Sequence, residues 1–191
     1  MTDVSDRDFA RIYDEYYHRI RGFIRACVKD EWSADDLTQE TFLRARQGAL
    51  KDPQKVKSWL FRIAYNVCQD HFRSTGIRQK KLTPLDRSVG LGTLPRTETQ
   101  LEQQQMNACI YGHFRTLPES YRTVIWLFDI QGFSHREIAG ILSVDIGTLK
   151  VRLHRARQKM KGVLERACRF ERDNRNVFVC IPKSKRLPAN R

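Results

Sequence analysis

The sequence predicts an all-α fold, two small helical domains joined by a flexible linker. Three observations carry this expectation. Apolar residues recur at steps of three and four along most of the chain. Glycines, prolines and scattered cations break that period between Gly76 and Thr99, and no strand pattern of useful length precedes Asn176. Charge divides the chain in the same way. Residues 1–75 carry 13 Lys/Arg against 12 Asp/Glu, residues 76–100 carry 5 against 2, and residues 101–191 carry 17 against 8. A nearly neutral first part and a basic second part point to a polyanionic partner, nucleic acid before membrane, because no segment joins that charge to a wide apolar face.

The first helix follows from Phe9, Ile12, Tyr13, Tyr16, Tyr17, Ile20, Phe23, Ile24 and Cys27, which share one amphipathic face. Ser33 and Asp36 resemble a capping box, so a second helix is expected from there to about Arg46, burying Leu37 and Leu43, with Phe42 as a further candidate. Gly48 to Pro53 reads as a loop. Val56, Leu60, Ile63, Ala64, Val67, His71 and Phe72 then outline a third helix. Opposite that stripe lie Phe61, Arg62, Tyr65, Asn66, Gln69 and Arg73, with Trp59 near its edge. Aromatics, an amide and cations in one row suit single-stranded DNA; Phe61 and Tyr65 fit packing against the first helix equally well.

After the linker, Leu101, Met106, Cys109, Ile110, Phe114 and Leu117 give a fourth helix, and Pro118 suits the first turn of a fifth. Tyr121, Val124, Ile125 and Phe128 supply its buried side, and it should stop before Gly132. Ser134 and Glu137 form a complete capping box, with Phe133 and Ile138 placed as a hydrophobic staple. The short helix from His135 to Leu142 is followed by Asp145, which can cap the next. Helix, short turn, helix is the DNA-binding pattern. On the last helix Ile146, Leu149, Leu153, Ala156, Met160, Val163 and Ala167 face inward, while Gly147, Val151, His154, Arg155 and Gln158 face outward, flanked by Lys150, Arg152, Arg157 and Lys161. Such a face suits a major groove.

The composition, 40% hydrophobic and 30% charged, is that of a soluble protein. No apolar run approaches the ~18 residues needed to span a bilayer, and the first six residues lack the basic start and apolar core of a signal peptide. Membrane insertion and secretion are not expected. Five scattered cysteines without a C-x-x-C pair suggest reduced thiols in a cytoplasm. Three of them fall on apolar helical stripes. Cys168 and Cys180, separated by eleven residues in a basic C-terminal tail, have no nearby His pair, so no metal site and no cofactor are expected.

Three segments in order carry a family likeness: Asp36-Leu37-Thr38-Gln39-Glu40-Thr41-Phe42-Leu43-Arg44-Ala45, Trp59-Leu60-Phe61-Arg62-Ile63-Ala64-Tyr65-Asn66, and Leu117-Pro118-Glu119 through Gly147-Thr148-Leu149-Lys150-Val151-Arg152-Leu153-His154-Arg155-Ala156-Arg157. Over roughly residues 8–167 the chain resembles bacterial sigma factors of the sigma-70 family, in particular the extracytoplasmic-function group that keeps only regions 2 and 4. The resemblance implies region 2 at 8–75, a linker at 76–100, region 4 at 101–167 and a tail at 168–191. It implies binding to core RNA polymerase, recognition of minus-35 and minus-10 promoter DNA, initiation of transcription, and an anti-sigma factor as a further partner. By matching position, Asp36, Gln39, Glu40 and Arg46 would dock on core polymerase. Trp59, Phe61, Arg62, Tyr65 and Asn66, with the Gly48–Lys57 loop, would engage the minus-10 strand. Thr148, Lys150, Val151, Arg152, His154, Arg155 and Gln158 would meet the minus-35 element. Val151 can offer only apolar contact, for example to a thymine methyl, and His154 stands where many relatives carry an aromatic ring.

Two other classes compete. A dimeric helix-turn-helix regulator acting without polymerase leaves the first three helices unexplained and predicts a homodimer on paired half-sites. A nucleic-acid-modifying enzyme lacks chemistry, since no H-E-x-x-H, no phosphate-binding loop and no acidic metal cluster is present. The chain is therefore not expected to be an enzyme.

Overall fold

The computed structural model describes residues 6–50, 52–76, 98–172 and 178–183. Seven α-helices occupy most of them: α1 Asp6–Val28, α2 Glu31–Gln47, α3 Val56–Ser74, α4 Glu98–Arg115, α5 Glu119–Ile125, α6 His135–Leu142 and α7 Ile146–Ala167. A 3-10 turn, Pro53–Lys55, precedes α3, and a π-helical stretch, Trp126–Ile130, extends α5. The chain closes with an antiparallel hairpin, β1 Cys168–Arg172 and β2 Phe178–Pro182, in which Cys168 faces Pro182 and Arg172 faces Phe178. Apart from Gly76 and the start of α4, the expected linker lies outside the described residues. The tail, expected as a plain basic extension, begins with this hairpin. Its second strand falls on the apolar run Phe178-Val179-Cys180-Ile181 that follows Asn176.

Two compact units divide the described residues. The first draws on Met1–Lys81 and Pro118–Ala156, the second on Leu82–Leu117 and Arg157–Arg191. In the first unit, α1, α2 and α3 pack around Ile20, Phe23, Ile24, Leu60, Ala64 and Val67, all fully buried. The stripes read from the sequence on α1 and α3 pack here, except that Tyr13 is 39% exposed, and Phe61 and Cys68, off the α3 stripe, are fully buried as well. The start of α2 differs from expectation, because Asp30 rather than Ser33 is the N-cap: its carboxylate accepts from the Ser33 N–H at 2.7 Å. An Asp one turn earlier starts the helix sooner and takes the orphan N–H of Ser33 itself, and Arg25 pairs with Glu31 in the new first turn. Within α2, Thr38 and Thr41 are buried, and their hydroxyls donate to the carbonyls of Ala34 and Leu37, one turn back. Phe42 is buried and Leu37 half-buried, but Leu43 is 56% exposed, contrary to expectation. At 100° per residue, Leu43 falls nearly in line with Asp36 and Gln39, away from α1.

The same unit contains α5, the π-helical stretch, α6 and the first part of α7. Pro118 is the N-cap of α5 and stands just before its first turn. Gly132, at φ +71°, ends the π-helical stretch in a left-handed conformation that glycine adopts without penalty. The Ser134 capping box is complete: its hydroxyl accepts from the Glu137 N–H, and the Glu137 carboxylate accepts from the Ser134 N–H at 2.8 Å. Phe133 and Ile138 are both buried, as a staple requires. Ser143, at φ 53°, makes the turn to α7, which Asp145 caps by accepting from the Thr148 N–H at 2.7 Å. Ile146 is 40% exposed, so the buried stripe of α7 starts at Leu149.

These later helices are seated on the first three. Arg122, 2% exposed, donates from Nε to the Ala26 carbonyl at 2.6 Å and from Nη2 to the Cys27 carbonyl at 2.5 Å. The carbonyls at the end of α1 have no helical N–H to meet them and carry the negative end of the helix dipole, so a guanidinium satisfies both needs. Lys57 donates to the Gln131 carbonyl at 2.6 Å and lies 4.3 Å from the centre of the Phe133 ring. Gly22 leaves room for Trp126, since a Cβ there would sit 3.1 Å from the indole. The second unit holds α4, the end of α7 and the hairpin, where the Lys183 N–H donates to the Ala167 carbonyl at 2.9 Å.

Candidate nucleic-acid and polymerase interface

On α7 the side chains that hold the helix and those that face out are cleanly separated. Leu149, Leu153 and Ala156 are buried, while Lys150, Val151, His154 and Arg155 are exposed. Arg152 is half-buried. With Tyr121, Thr148, Val151 and Arg155 it lines a shallow open depression. Thr148 is partly committed to the helix start. Its hydroxyl and then its N–H bind the Asp145 carboxylate and hold that carboxyl below the usual range. Gln158 is exposed one turn beyond Arg155, on the part of α7 that belongs to the second unit.

The row expected on α3 is only partly an outer face. Arg62 and Asn66 are exposed, and Trp59 and Tyr65 are half-buried. Burial raises the Tyr65 phenol above its ordinary value, with nearby Glu119 adding to the shift. Phe61 is a correction: it is 0% exposed, its ring 5.3 Å from Phe23 and 5.1 Å from Phe133. It is a core residue that joins α1, α3 and the loop before α6, and in this arrangement it is not available to DNA. At the loop expected to share this site, Asp52 accepts from the Gln54 N–H, and Trp59 closes on Gly48, where a Cβ would sit 3.4 Å from its ring.

On α2, Asp36, Gln39 and Arg46 are exposed. Glu40 accepts from Arg44 at 2.7 Å, and Arg44 also reaches Asp70 of α3 at 2.8 Å. Asp35 is half-buried and gripped by two nitrogens of Arg21. Sequence reasoning missed two members of this face, Trp32 at 85% exposure and Leu43. The signal was present. Positions 32, 36, 39, 43 and 46 step by four and three, so two apolar side chains share a stripe with three polar ones.

A second set of residues comes together in the other unit. The ligand atoms of Cys109, His113 and Cys168 lie within 4.8 Å of one another. In the sequence Cys168 and Cys180 stand without a His pair, and Cys109 lies on the apolar stripe of the fourth helix. The missed signal was Cys109-x-x-x-His113, a one-turn spacing on α4.

Comparison with known proteins agrees with the geometry. A family model for Sigma-70 region 2 matches residues 12–77, and one for Sigma-70, region 4 matches residues 109–160. The ECF RNA polymerase sigma factor SigM of Bacillus subtilis is 30% identical over 84% of this chain and 97% of its own length. The chain belongs to the ECF sigma factors. A second relative, RNA polymerase sigma factor SigZ of Bacillus subtilis, is also 30% identical, over 88% of this sigma factor and 93% of its own length. Among solved structures, the sigma factor RpoE in complex with the anti-sigma factor NepR from Bartonella quintana shares the fold. Its TM-score is 0.60 at 24% identity, covering 83% of this chain and 98% of that one. Proteins of this family direct transcription without catalysing a reaction themselves. Among the described residues no helix is long and apolar enough to cross a membrane.

Proposed function

We propose that this chain is a promoter-specificity subunit that binds core RNA polymerase, reads minus-35 and minus-10 DNA and starts transcription, with no catalytic step of its own. The observation that carries the reading is the outer face of α7, where Lys150, Val151, His154 and Arg155 stand free above the buried Leu149, Leu153 and Ala156. A major groove admits such a helix. Arg155 offers a fork to guanine and Gln158 an amide to adenine. Val151 offers a methyl contact to thymine, and Lys150 and Arg152 reach phosphates. On the melted minus-10 strand, Asn66 reads a base edge, Arg62 neutralises the backbone, and Trp59 and Tyr65 give stacking surface.

The outer stripe of α2 supports the docking role. Asp36, Gln39 and Arg46 give a polar rim to Trp32 and Leu43, and exposed apolar side chains on one stripe mark a protein contact. An anti-sigma protein in the same cytoplasmic compartment would inhibit by covering this stripe. Replacing Gln39 and Glu40 by Lys reverses the charge of the docking face without touching α7. Co-purification with core polymerase should be lost while a minus-35 duplex is still bound. Full retention of core binding overturns the docking assignment, and a stable homodimer on paired half-sites would favour a polymerase-independent regulator.

A further inference from the structure

The second unit carries a constellation that promoter recognition does not use. Cys109 and His113 sit one turn apart on α4 and present their side chains on one face. Cys168 is the first residue of β1, and Cys180 pairs with Phe170 in β2. In that register Cys168 and Cys180 are diagonal neighbours on the same face of the hairpin, close enough for their side chains to meet. Cys180 lies near enough to Cys109 and Cys168 for its thiol to act on both of theirs. The Cys109 and Cys168 sulfurs and a His113 ring nitrogen converge within 4.8 Å. All five cysteines are free, so no disulfide explains the convergence. Apolar packing does not call for a histidine at its centre, and a redox pair would need only two of the three thiols.

We propose that Cys109, His113, Cys168 and Cys180 form a structural Zn2+ site that fastens the hairpin to α4. A tetrahedral Cys3His set is a closed structural donor set for zinc, with bonds of about 2.3 Å to sulfur and about 2.0–2.1 Å to nitrogen. Those bonds place ligand atoms about 3.5–3.8 Å apart, so closing Cys109, His113 and Cys168 on the ion takes side-chain movement of about 1 Å, and Cys180, outside that group of three, swings in as the fourth ligand. Thiolates exclude the hard cations Mg2+ and Ca2+. Binding displaces three thiol protons and leaves His113 neutral, giving a complex with one net negative charge. Lys183, whose field already acts on Cys168, supplies a neighbouring cation. Cys168 is itself 2% exposed, which keeps competing water from its sulfur. Because β1 follows α7 without a break, the ion would also fix where the recognition helix ends.

The test uses the full-length chain, purified untagged under reducing conditions without chelator. Elemental analysis should find one zinc per chain. Exchange for Co2+ should give the intense visible bands of a tetrahedral ion and a thiolate-to-cobalt charge-transfer band in the near ultraviolet. His113→Ala and Cys168→Ser should each lose stoichiometric metal, whereas His113→Cys should retain it with a stronger charge-transfer band. If the alanine and serine variants do not fold, the wild-type cobalt spectrum and the His113→Cys spectrum still decide. Protein that takes up neither zinc nor cobalt overturns the site, as does metal retained by Cys109→Ser/Cys168→Ser. A Cys168–Cys180 disulfide in protein kept reduced overturns the thiolate site. None of these results bears on promoter binding, so the two readings fail separately.

Discussion

A single side chain on α7 should separate affinity from specificity. Arg155 is exposed on the outward face, one turn after Val151 and beside His154, and its guanidinium can meet two acceptors of one guanine at once. Lys159, also exposed, lies further along the helix, where a cation meets backbone phosphate. Arg155→Ala should therefore cost roughly 1–3 kcal/mol on the cognate minus-35 duplex and little on a scrambled one. Lys159→Ala should weaken both duplexes alike and flatten the salt dependence, because one fewer counterion is released. Titrations of both variants at two salt concentrations measure this. Equal losses of Arg155→Ala on the two duplexes would remove its base-reading role. The opposite case is Phe61, whose aromatic ring looks equally suited to stacking until its neighbours are known. With Phe23 and Phe133 packed against it and none of its surface exposed, it has no face left to offer.

At the scale of elements, legibility followed the range of the interaction that decides each one. The start of α6 is local, since Ser134, Glu137, Phe133 and Ile138 lie within six positions, and the structure has the box as read. Its pH behaviour follows from the same bonds. The Ser134 hydroxyl, then its N–H, hold the Glu137 carboxyl below the ordinary glutamate range. In the window between the lowered folded value and the ordinary unfolded one, the unfolded chain binds more protons, so stability rises with pH. The contribution is complete above the ordinary value and is lost as pH falls through the lowered one. Ser134→Ala should cost about 1 kcal/mol near neutrality, and the difference from wild type in thermal unfolding should shrink in acid. A difference independent of pH would mean that the box is not what stabilises this helix start. Elements set by distant partners were not legible. Two faces of α3 are buried, one under α1 and α2 and one under the loop before α6, and a helical wheel shows only the first. Likewise Arg122 reads as a surface charge on α5 until the end of α1 is brought to it. Cys109 and His113 became a pair of interest only once β1 and β2 folded beside them.

For the molecule as a whole, the first compact unit sets a geometric limit on promoter recognition. By their positions the centres of the minus-35 and minus-10 elements lie about 25 base steps apart, about 85 Å of B-form duplex at 3.4 Å per step. Yet α3, which would meet the minus-10 strand, lies against the loop leading into α6, with the Phe61 and Phe133 ring centres 5.1 Å apart. With α3 on the minus-10 strand and α7 on the minus-35 element, as proposed, a unit packed in this way would engage one element at a time, and α5, α6 and α7 are expected to leave the first three helices when a promoter opens. Core polymerase can supply that work only by binding the separated form better than the packed one. The seam provides its own lock for testing this. Cys27 Sγ and Thr123 Oγ1 lie 3.5 Å apart, so in a Thr123→Cys variant the new thiol can bond to Cys27 on oxidation, joining α1 to α5. Reduced, the variant should start transcription with core polymerase as wild type does. Oxidised, it should still bind a short minus-35 duplex, because Lys150, Val151, His154 and Arg155 stay exposed in the packed form, but it should form no open complex on a full promoter until dithiothreitol is added. Wild-type protein carried through the same oxidation controls for the native thiols. Open complexes formed equally well by the cross-linked variant would show that promoter melting proceeds without separation of the packed helices.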